Sequence, residues 1–477
     1  MNKKLTYQSN GFFDEYITNN SSPRKGFKRS IGFFNSLTGS QKIYFKKLCE
    51  SSISSMGVTF QLNANELKDR LWPLDLIPRI ISLNKWEIVE CGLSQRVKAL
   101  NLFINDVYNK QEFLDKNPVL KDLILDSPNF LSECMGISPK NKVWSNICGS
   151  DLIRNHNGNF FVLEDNLRVP SGVAYMLENR NIMKRVIPEL FNSYEVNPVD
   201  DYPSQLYQCL CDASFSTNQK KTVVVLTPGV FNSAYFEHSY LAQQMGVELV
   251  EASDLYVSRS GNVLMKTING PKKIDVIYRR VDDIYLDPKT WLKNSTLGIP
   301  GIYKSWKSKK IAIVNAPGSG VADDKAVYAY VPKMIKFFLN ERPIISQVKT
   351  YVCAIKKDLD YVLNNIDQLV LKPVNESGGY GILIGPQASK SELKEYKLKI
   401  MNNPRNFVAQ PLIRLSTAPT LIGKNIVPRH LDLRPFILSG KKSFVTKGGL
   451  TRVAMKKGST IVNSSQGGGS KDTWIAD

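Results

Sequence analysis

Residues 149–166 read GSDLIRNHNGNFFVLEDN and combine a hairpin signal with an unfavourable placement of acids. Two β-rich runs flank Asn157-Gly158, and Asn-Gly at the centre of a tight turn favours a β-hairpin. A two-residue turn at this point places Asp151 directly opposite Glu164. Like charges that face each other destabilise a sheet, so we expect a positive group between these two carboxylates.

The period of a strand divides the polar side chains of the second run between two faces. Asn166 lies two residues after Glu164 and shares its face, whereas Asp165 points to the other side. Asp151, Glu164 and Asn166 are therefore expected to cluster as three oxygen-bearing side chains.

The bulk composition predicts a globular protein without an early secretory or membrane segment. The chain has 477 residues, of which 42% are hydrophobic, and its start, MNKKLTYQSNGFFDEY, returns to polar residues at once. No window approaches the 18 apolar residues of a membrane span, so we expect a soluble, cytoplasmic protein. Seven scattered cysteines favour reduced thiols over a disulfide framework or zinc site, and three dispersed histidines are too few for a histidine metal cluster.

The formal net charge of +20 leaves two interpretations open. It could serve a polyanion partner such as nucleic acid, or a membrane surface. The lysines are spread through the chain in short pairs and small groups, whereas nucleic-acid modules concentrate basic residues among stacking aromatics. This distribution favours generalised basicity over a dedicated nucleic-acid surface.

The pattern along the chain predicts an α/β layer between a helical and an α+β part. LSQRVKALNLFINDVYNKQEFL has apolar residues at helical spacing. KTVVVLTPG, the helical SAYFEHSYLAQQMG and VELVEA predict a β-α-β unit, and KIDVIYRRV and KIAIVNAP continue the strand series. From about residue 325, a helix is followed by strands at QLVLKPV, GILIGP, FVAQPLI, DLRPFIL and SFVTKGG.

LVLKPVNESGGYGILIG is a candidate phosphate-binding segment, since Lys372 ends a strand before a loop that contains Gly378, Gly379 and Gly381. Glycines let backbone amides approach a polyphosphate, and the lysine supplies a positive charge. The segment lacks the ending of a P-loop and the context of a dinucleotide fingerprint. A glycine hairpin with a surface lysine explains this segment equally well when it is taken alone.

Further residues place this segment in a larger pattern. Lys325 stands just before a helix in ADDKAVYAY, Arg434 follows Asp432 on one face of the strand HLDLRPFIL, and Arg452 lies in GGLTRVA. Together with the hairpin, these segments resemble the ATP-grasp ligases. The resemblance implies that Lys325 and Lys372 hold nucleotide phosphates and that Arg434 and Arg452 touch the transferring phosphate. It also implies that the hairpin binds magnesium through Asp151, Glu164 and Asn166, whose oxygens suit this hard ion, and that Asp165 is dispensable for the metal.

The order of the motifs is more specific, because conventional ATP-grasp chains have the metal hairpin last. The sequence is similar to the circularly permuted ATP-grasp type 2 family, formerly domains of unknown function 404 and 407, in WPLDLIPRII, GSDLIRNHNGNFFVLEDNLRVPSGVAYMLENR, TPGVFNSAYFEHSYLA and QGGGSKDTW, among other segments. The resemblance implies a mixed α/β and α+β fold, a circularly permuted ATP-grasp fold with a pre-ATP-grasp, Rossmann-like α/β domain and a helical N-terminal region. The implied domains are 1–140 (helical), 141–200 (permuted metal-binding part), 201–322 (α/β substrate domain) and 323–477 (nucleotide-binding part).

The resemblance also implies the chemistry, with ATP and Mg²⁺ as cofactors. A substrate carboxylate is phosphorylated, an amine attacks the acyl phosphate, and ADP and phosphate leave, so the expected enzyme is an ATP-dependent carboxylate–amine ligase that forms a peptide-type bond. Two alternatives stay open: an ATP-dependent phosphotransferase on a small acceptor, and an inactive binding or scaffold protein with a basic, polyanion-binding surface. An α-helical E-type domain protein and a transglutaminase-like protein are expected partners by the same resemblance.

The nucleotide base and the substrate have less definite positions in the sequence. The resemblance places adenine near FVAQPLI, where Gln410 stands in place of a common acidic residue. The tandem Arg279-Arg280 at a strand end is a candidate substrate clamp, because open α/β sheets bind ligands at the carboxyl ends of their strands. A plain salt bridge to Asp282 or Asp283 explains an arginine there nearly as well. Arg180 is a further candidate for the same cleft, with a structural role equally open.

Overall fold

The structure is a computed structural model that describes Ser9 and residues 11–60, 70–374, 381–459, 462 and 467–477. The α-helices in these ranges are α1 Lys28–Ser36, α2 Gly39–Ser55, α3 Leu83–Val107, α4 Glu112–Asp115, α5 Pro118–Leu125, α6 Val173–Val186, α7 Pro188–Asn192, α8 Tyr202–Ala213, α9 Tyr235–Met245, α10 Ile302–Lys307, α11 Lys325–Tyr328, α12 Val331–Met334, α13 Lys356–Asn364 and α14 Lys390–Asn402. Among them, none has the length and apolar character needed to cross a bilayer.

The strands in the same ranges belong to five sheets. They are β1 Thr59–Phe60, β2 Arg70–Leu71, β3 Leu74–Ile81, β4 Ile147–Arg154, β5 Phe160–Asn166, β6 Val223–Leu226, β7 Glu248–Val250, β8 Leu255–Val257, β9 Val263–Met265, β10 Lys272–Lys273, β11 Val276–Arg279, β12 Ala312–Val314, β13 Ser346–Gln347, β14 Tyr351–Val352, β15 Leu369–Pro373, β16 Leu383–Ile384, β17 Phe407–Pro411, β18 Thr417–Ile422, β19 Asn425–Arg434, β20 Phe436–Ser439, β21 Ser443–Val445, β22 Leu450–Val453 and β23 Gly469–Ile475.

The predicted α/β layer is confirmed as a parallel sheet in the order β12-β11-β6-β7. The strands β6, β11 and β12 are fully buried and, apart from Arg279, have no charged residue, as expected where helices cover both faces of a sheet. Helix α9 connects β6 to β7 and ends at Gly246, whose φ of 65° gives the left-handed cap that favours glycine. The carboxyl ends of β11 and β12 lie side by side.

A larger sheet joins the early hairpin to the end of the chain, in the order β13-β5-β4-β19-β22-β23-β3. Strand β4 pairs with β19 and with β20, so that Leu152 lies opposite Leu433 and Gly149 lies opposite Phe436. This pairing confirms the permuted fold, because the early hairpin and the late arginine-bearing strands form one surface.

The N-terminal part is not only helical, since β3 joins this same sheet beside β23. Helix α3 confirms the predicted amphipathic helix and buries Leu93, Val97, Leu100, Phe103, Ile104 and Val107 in the core. The three proposed boundaries between the four implied domains stay predictions.

A smaller antiparallel sheet, in the order β14-β17-β15-β16, carries Lys372 on β15 and Gln410 on β17. Strands β15, β16 and β17 lie within the predicted segments QLVLKPV, GILIGP and FVAQPLI, whereas β14 was not predicted. Helices α13 and α14 supply Val362 and Ile400 to the small hydrophobic cluster that also contains Leu369 and Leu371. The sheet therefore has its own core.

The β4–β5 hairpin has a different turn from the predicted one. Asn155 N–H donates to the carbonyl of Asn159, and Arg154 pairs with Phe160, so the turn is longer than two residues. Only Gly158 of the Asn-Gly pair has a positive φ, at 77°. A register shift between Asp151 and Leu152 then brings Asp151 opposite Glu164. The predicted facing pair is confirmed, but through a bulge that the sequence pattern did not indicate.

Candidate active site

Asp151 is the centre of a buried charge cluster on β4. Arg434 donates from Nε to Oδ1 of Asp151 at 2.5 Å and from Nη2 to Oδ2 at 2.8 Å. Arg452 donates from Nη2 to the same Oδ2 at 2.7 Å. Burial acts to raise the pKa of Asp151, but the two guanidiniums outweigh it and hold the pKa well below its usual range. The carboxylate is thus ionised, and the positive group that the sequence analysis expected is a pair of arginines.

The sheet register brings these arginines to Asp151. Arg452 on β22 pairs directly with Asp432 on β19, and its Nε donates to Oδ1 of Asp432 at 2.9 Å. Arg434 lies two residues after Asp432 and therefore on the same face, as predicted. Since β4 is the next strand beyond β19, the face carries all four charged groups together.

Glu164 and Asn166 complete the predicted oxygen cluster on β5. Burial raises the pKa of Glu164, and the facing carboxylate of Asp151 raises it further. The side-chain amide nitrogen of Asn166 donates to the carbonyl of Gly149 at 3.2 Å, which leaves the amide oxygen to accept. The three side chains thus offer two carboxyl groups and one amide oxygen at one end of the hairpin.

Asp165 lies on the opposite face, as the alternation predicted. It receives bonds of 2.8 and 2.7 Å at Oδ2 from Nε and Nη2 of Arg96, and the hydroxyl of Ser150 donates to its Oδ1 at 2.8 Å. Both ionic side chains are almost fully buried. Asp165 therefore anchors the hairpin to helix α3.

A cavity of about 210 Å³ connects the hairpin to the small sheet. Its lining includes Glu164, Asn166, Lys325, Lys372 and Gln410, so it brings together predicted metal and nucleotide residues from three regions of the chain. Burial lowers the pKa of Lys372 to about 8, although the charge of Glu164 opposes the shift.

The other predicted nucleotide residues have the following positions. Lys325 is the first residue of α11, which Asp324 caps by accepting from the backbone N–H of Ala326 at 2.8 Å. Gln410 donates from Nε2 to the hydroxyl of Thr350 at 2.9 Å. Gly381 is exposed, with φ at 67°. Gly378 and Gly379 lie outside the described residues.

The three predicted substrate arginines are engaged within the protein. Arg279 donates to the carbonyl of Asn315 at 2.6 Å and to Oδ1 of Asp283 at 2.8 Å. Arg280 pairs with Glu237 at 3.0 Å, and Arg180 pairs with Asp472 at 2.9 Å. All three are buried, and the cavity beside the hairpin is lined by none of them. The structure thus brings Arg279 to Asp283 in the salt bridge that was the open alternative.

The same cavity is also lined by residues that the sequence analysis did not select. They include Arg168, which follows the hairpin by two residues, Asp282, and Asp323, which stands two residues before Lys325. The sequence could have indicated these residues only by their position, because each lies close to a motif that was selected. A basic and two acidic groups are therefore added to the cavity wall.

Comparisons with known proteins identify close relatives and a shared fold. The profile of the circularly permuted ATP-grasp type 2 family matches residues 78–454. An uncharacterized protein of Synechocystis sp. is 47% identical over 472 residues, 98% of each chain. A Frankia casuarinae protein provisionally named glutamate–cysteine ligase 2-2 is 40% identical over 429 residues, 89% of this chain and 49% of that one. A glutathione synthetase-like effector from Globodera pallida shares the fold, with a TM-score of 0.59 at 12% identity over 91% of this chain and 96% of that one.

Proposed function

We propose that this chain, which belongs to the circularly permuted ATP-grasp type 2 family, is an ATP- and Mg²⁺-dependent carboxylate–amine ligase that acts through an acyl phosphate. One observation carries the proposal: a single cavity is lined by Glu164 and Asn166 of the hairpin and by Lys325 and Lys372 of the nucleotide-binding part. The provisional name of the Frankia relative, a glutamate–cysteine ligase, supports a reaction of this class.

The hairpin residues fit a magnesium ion by their donor chemistry. Asp151, Glu164 and Asn166 offer two carboxylates and one amide oxygen, which are ligands that Mg²⁺ prefers. When bound, Mg²⁺ would neutralise charge on the nucleotide phosphates.

The arginines can then act on the reacting phosphoryl group. In the present arrangement Arg434 and Arg452 neutralise Asp151. A cation on Asp151 would release part of their charge toward the cavity. Positive groups placed where negative charge develops stabilise phosphoryl transfer, and Lys325 and Lys372 would hold the phosphates in line.

The proposed reaction has two steps that conserve all atoms. An oxygen of the substrate carboxylate attacks the γ-phosphorus of ATP, which forms the acyl phosphate and breaks the bond to ADP. An amine nitrogen then attacks the acyl carbon, the amide bond forms, phosphate leaves, and the amine loses a proton to phosphate or solvent. No side-chain nucleophile is needed.

The test is to incubate the protein with Mg-ATP and pools of amino acids and short peptides. We expect stimulated release of ADP and phosphate, which Glu164→Gln abolishes. Glu248→Gln is the matched control, because Glu248 is an exposed carboxylate on β7, outside the cavity. Release of AMP and pyrophosphate would refute the mechanism, and a phosphorylated product without a new amide bond, seen by mass spectrometry, would instead identify a phosphotransferase.

A further inference from the structure

We propose that Arg168, Asp282 and Asp323 form a subsite for the carboxylate and ammonium groups of a free α-amino acid, whose side-chain carboxylate is the group to be activated. Activation of that side-chain carboxylate rests on the proposed ligase function. The binding itself can be measured without catalysis.

Arg168 differs from the predicted substrate arginines in how loosely it is held. Its Nε lies 3.6 Å from Oδ1 of Asp282 and 3.6 Å from Oδ2 of Asp323, and 33% of its side chain is exposed. Among the described residues its guanidinium makes no contact within hydrogen-bond distance, whereas Arg279 is fully buried and donates at 2.6 to 2.8 Å. A guanidinium in this state can take a carboxylate in a two-bond fork.

The two acids stand where the fold predicts a ligand. Asp282 lies three residues after β11, and Asp323 is the last residue of the 3-10 helix Ser319–Asp323, which follows β12. The adjacent parallel strands β11 and β12 end at the same edge of the sheet. Open α/β sheets bind their ligands at this edge. The cavity that the hairpin and the small sheet line therefore reaches the carboxyl edge of the α/β sheet.

Asp323 is fixed in place and charged at neutral pH. The backbone N–H of Leu167 donates to its Oδ1 at 2.7 Å, which leaves Oδ2 on the side of Arg168. Burial raises the pKa of Asp323 to about 6, so the carboxylate is mostly ionised at pH 7 and can pair with an ammonium group. Asp282 is half-exposed and can approach the same ligand.

The short distances between Arg168 and the two acids indicate which chemical class of ligand the subsite would bind. One cationic atom lies 3.6 Å from both acids, so the positive and negative recognition groups are immediate neighbours. An ammonium and a carboxylate on one Cα have this closeness, whereas the two ends of a peptide do not. Since Asn166 precedes Arg168 by two residues, a second carboxylate on the same small molecule can reach the hairpin.

The experiment is calorimetric titration of the full chain, with and without saturating Mg-ADP. The probes are L-glutamate, L-aspartate, glutarate, which lacks the ammonium, and 4-aminobutyrate, which lacks the α-carboxylate. We expect at least one of the two amino acids to bind, with both analogues at least tenfold weaker. Arg168→Gln should weaken amino-acid binding at least tenfold and leave the Kd of Mg-ADP within twofold.

Two further variants distinguish a loss of ligand binding from a loss of folding. Asp282→Asn, at a half-exposed position, should weaken L-amino-acid binding but not glutarate binding, and Arg29→Gln, at an exposed arginine of α1, should change neither. Glutarate binding as tight as that of the amino acids, normal binding by Arg168→Gln, or no binding of either amino acid in either condition would overturn the subsite. Binding without ADP release from Mg-ATP in the presence of amine pools would instead overturn the ligase proposal.

Discussion

Arg434 holds both oxygens of Asp151, with Nε 2.5 Å from Oδ1 and Nη2 2.8 Å from Oδ2. Arg452 adds a third bond to the same carboxylate. One of the three predicted metal ligands is therefore neutralised by two arginines. Under the proposed function, a metal ion on Asp151 would compete with them, and their charge would then be available to the substrate.

Arg434→Gln is expected to lower kcat for ADP release by about 10²–10³-fold, the typical cost of removing one donor to a charge that develops in the transition state. The Mg²⁺ concentration for half-maximal activity should stay unchanged or fall, because one competitor for Asp151 is gone. Steady-state kinetics over a Mg²⁺ series measures both quantities. Arg434→Lys keeps the positive charge but not the two-bond geometry, so its kcat should lie between those of the native chain and Arg434→Gln. An unchanged kcat in Arg434→Gln would show that Arg434 does not stabilise the transition state.

Asn166→Ala is expected to raise the Mg²⁺ concentration for half-maximal ADP release at least tenfold, because it removes the amide oxygen of the cluster. The protein should remain folded, since the bond from Asn166 to the Gly149 carbonyl, at 3.2 Å, is a single hydrogen bond at the end of the hairpin. The measurement is ADP release over a Mg²⁺ titration at saturating ATP. An unchanged Mg²⁺ requirement would remove Asn166 from the metal site.

Asp165→Asn, one residue away, should act on stability and leave the Mg²⁺ requirement unchanged. The substitution leaves the guanidinium of Arg96 buried without its carboxylate, and breaking a buried ion pair costs about 3–5 kcal/mol of unfolding free energy. Thermal and urea unfolding measure the loss. The control is Asp360→Asn on an exposed position of α13, expected within about 0.5 kcal/mol of the native chain. A raised Mg²⁺ requirement in Asp165→Asn would contradict the assignment of the two faces.

The hairpin shows how far a sequence pattern can predict a site. Alternation correctly separated Asp165 from Glu164, because the strand period holds on both sides of the bulge. The turn was wrong, since Asn-Gly favours a two-residue turn but Asn155 and Asn159 close a longer one. The register shift between Asp151 and Leu152 offsets that error. Local propensity could not predict the shift, which involves pairing across two strands.

The arginines show a different limit of the sequence. The tandem Arg279-Arg280 was selected because it ends a strand, and the structure does place Arg279 at the end of β11. Whether an arginine is engaged internally depends on distant partners, such as Asn315 for Arg279 and Glu237 for Arg280. Those contacts exist only in the folded chain, so the sequence could not distinguish these residues from Arg168.

The pH dependence of stability provides a test at His238, a buried residue outside the cavity. Its Nδ1 lies 2.9 Å from the hydroxyl of Thr227. Burial, with the nearby charge of Arg280, lowers the pKa of His238 from 6.5 to about 2. Below pH 6.5 the unfolded chain therefore binds a proton that the folded chain does not. The contribution of His238 to stability is complete above pH 6.5 and is lost as the pH falls toward 2.

The expected loss from His238 is about 1.4 kcal/mol per pH unit between pH 6 and 4. Other groups titrate in the same range, so the informative quantity is the difference between the native chain and His238→Gln, whose unfolding free energy should depend less steeply on pH by this amount. Urea unfolding at several pH values measures both slopes. His156→Gln, at an exposed position of the hairpin turn, should keep the native slope. Equal slopes for the native chain and His238→Gln would contradict this prediction, because they would show that folding does not lower the pKa of His238.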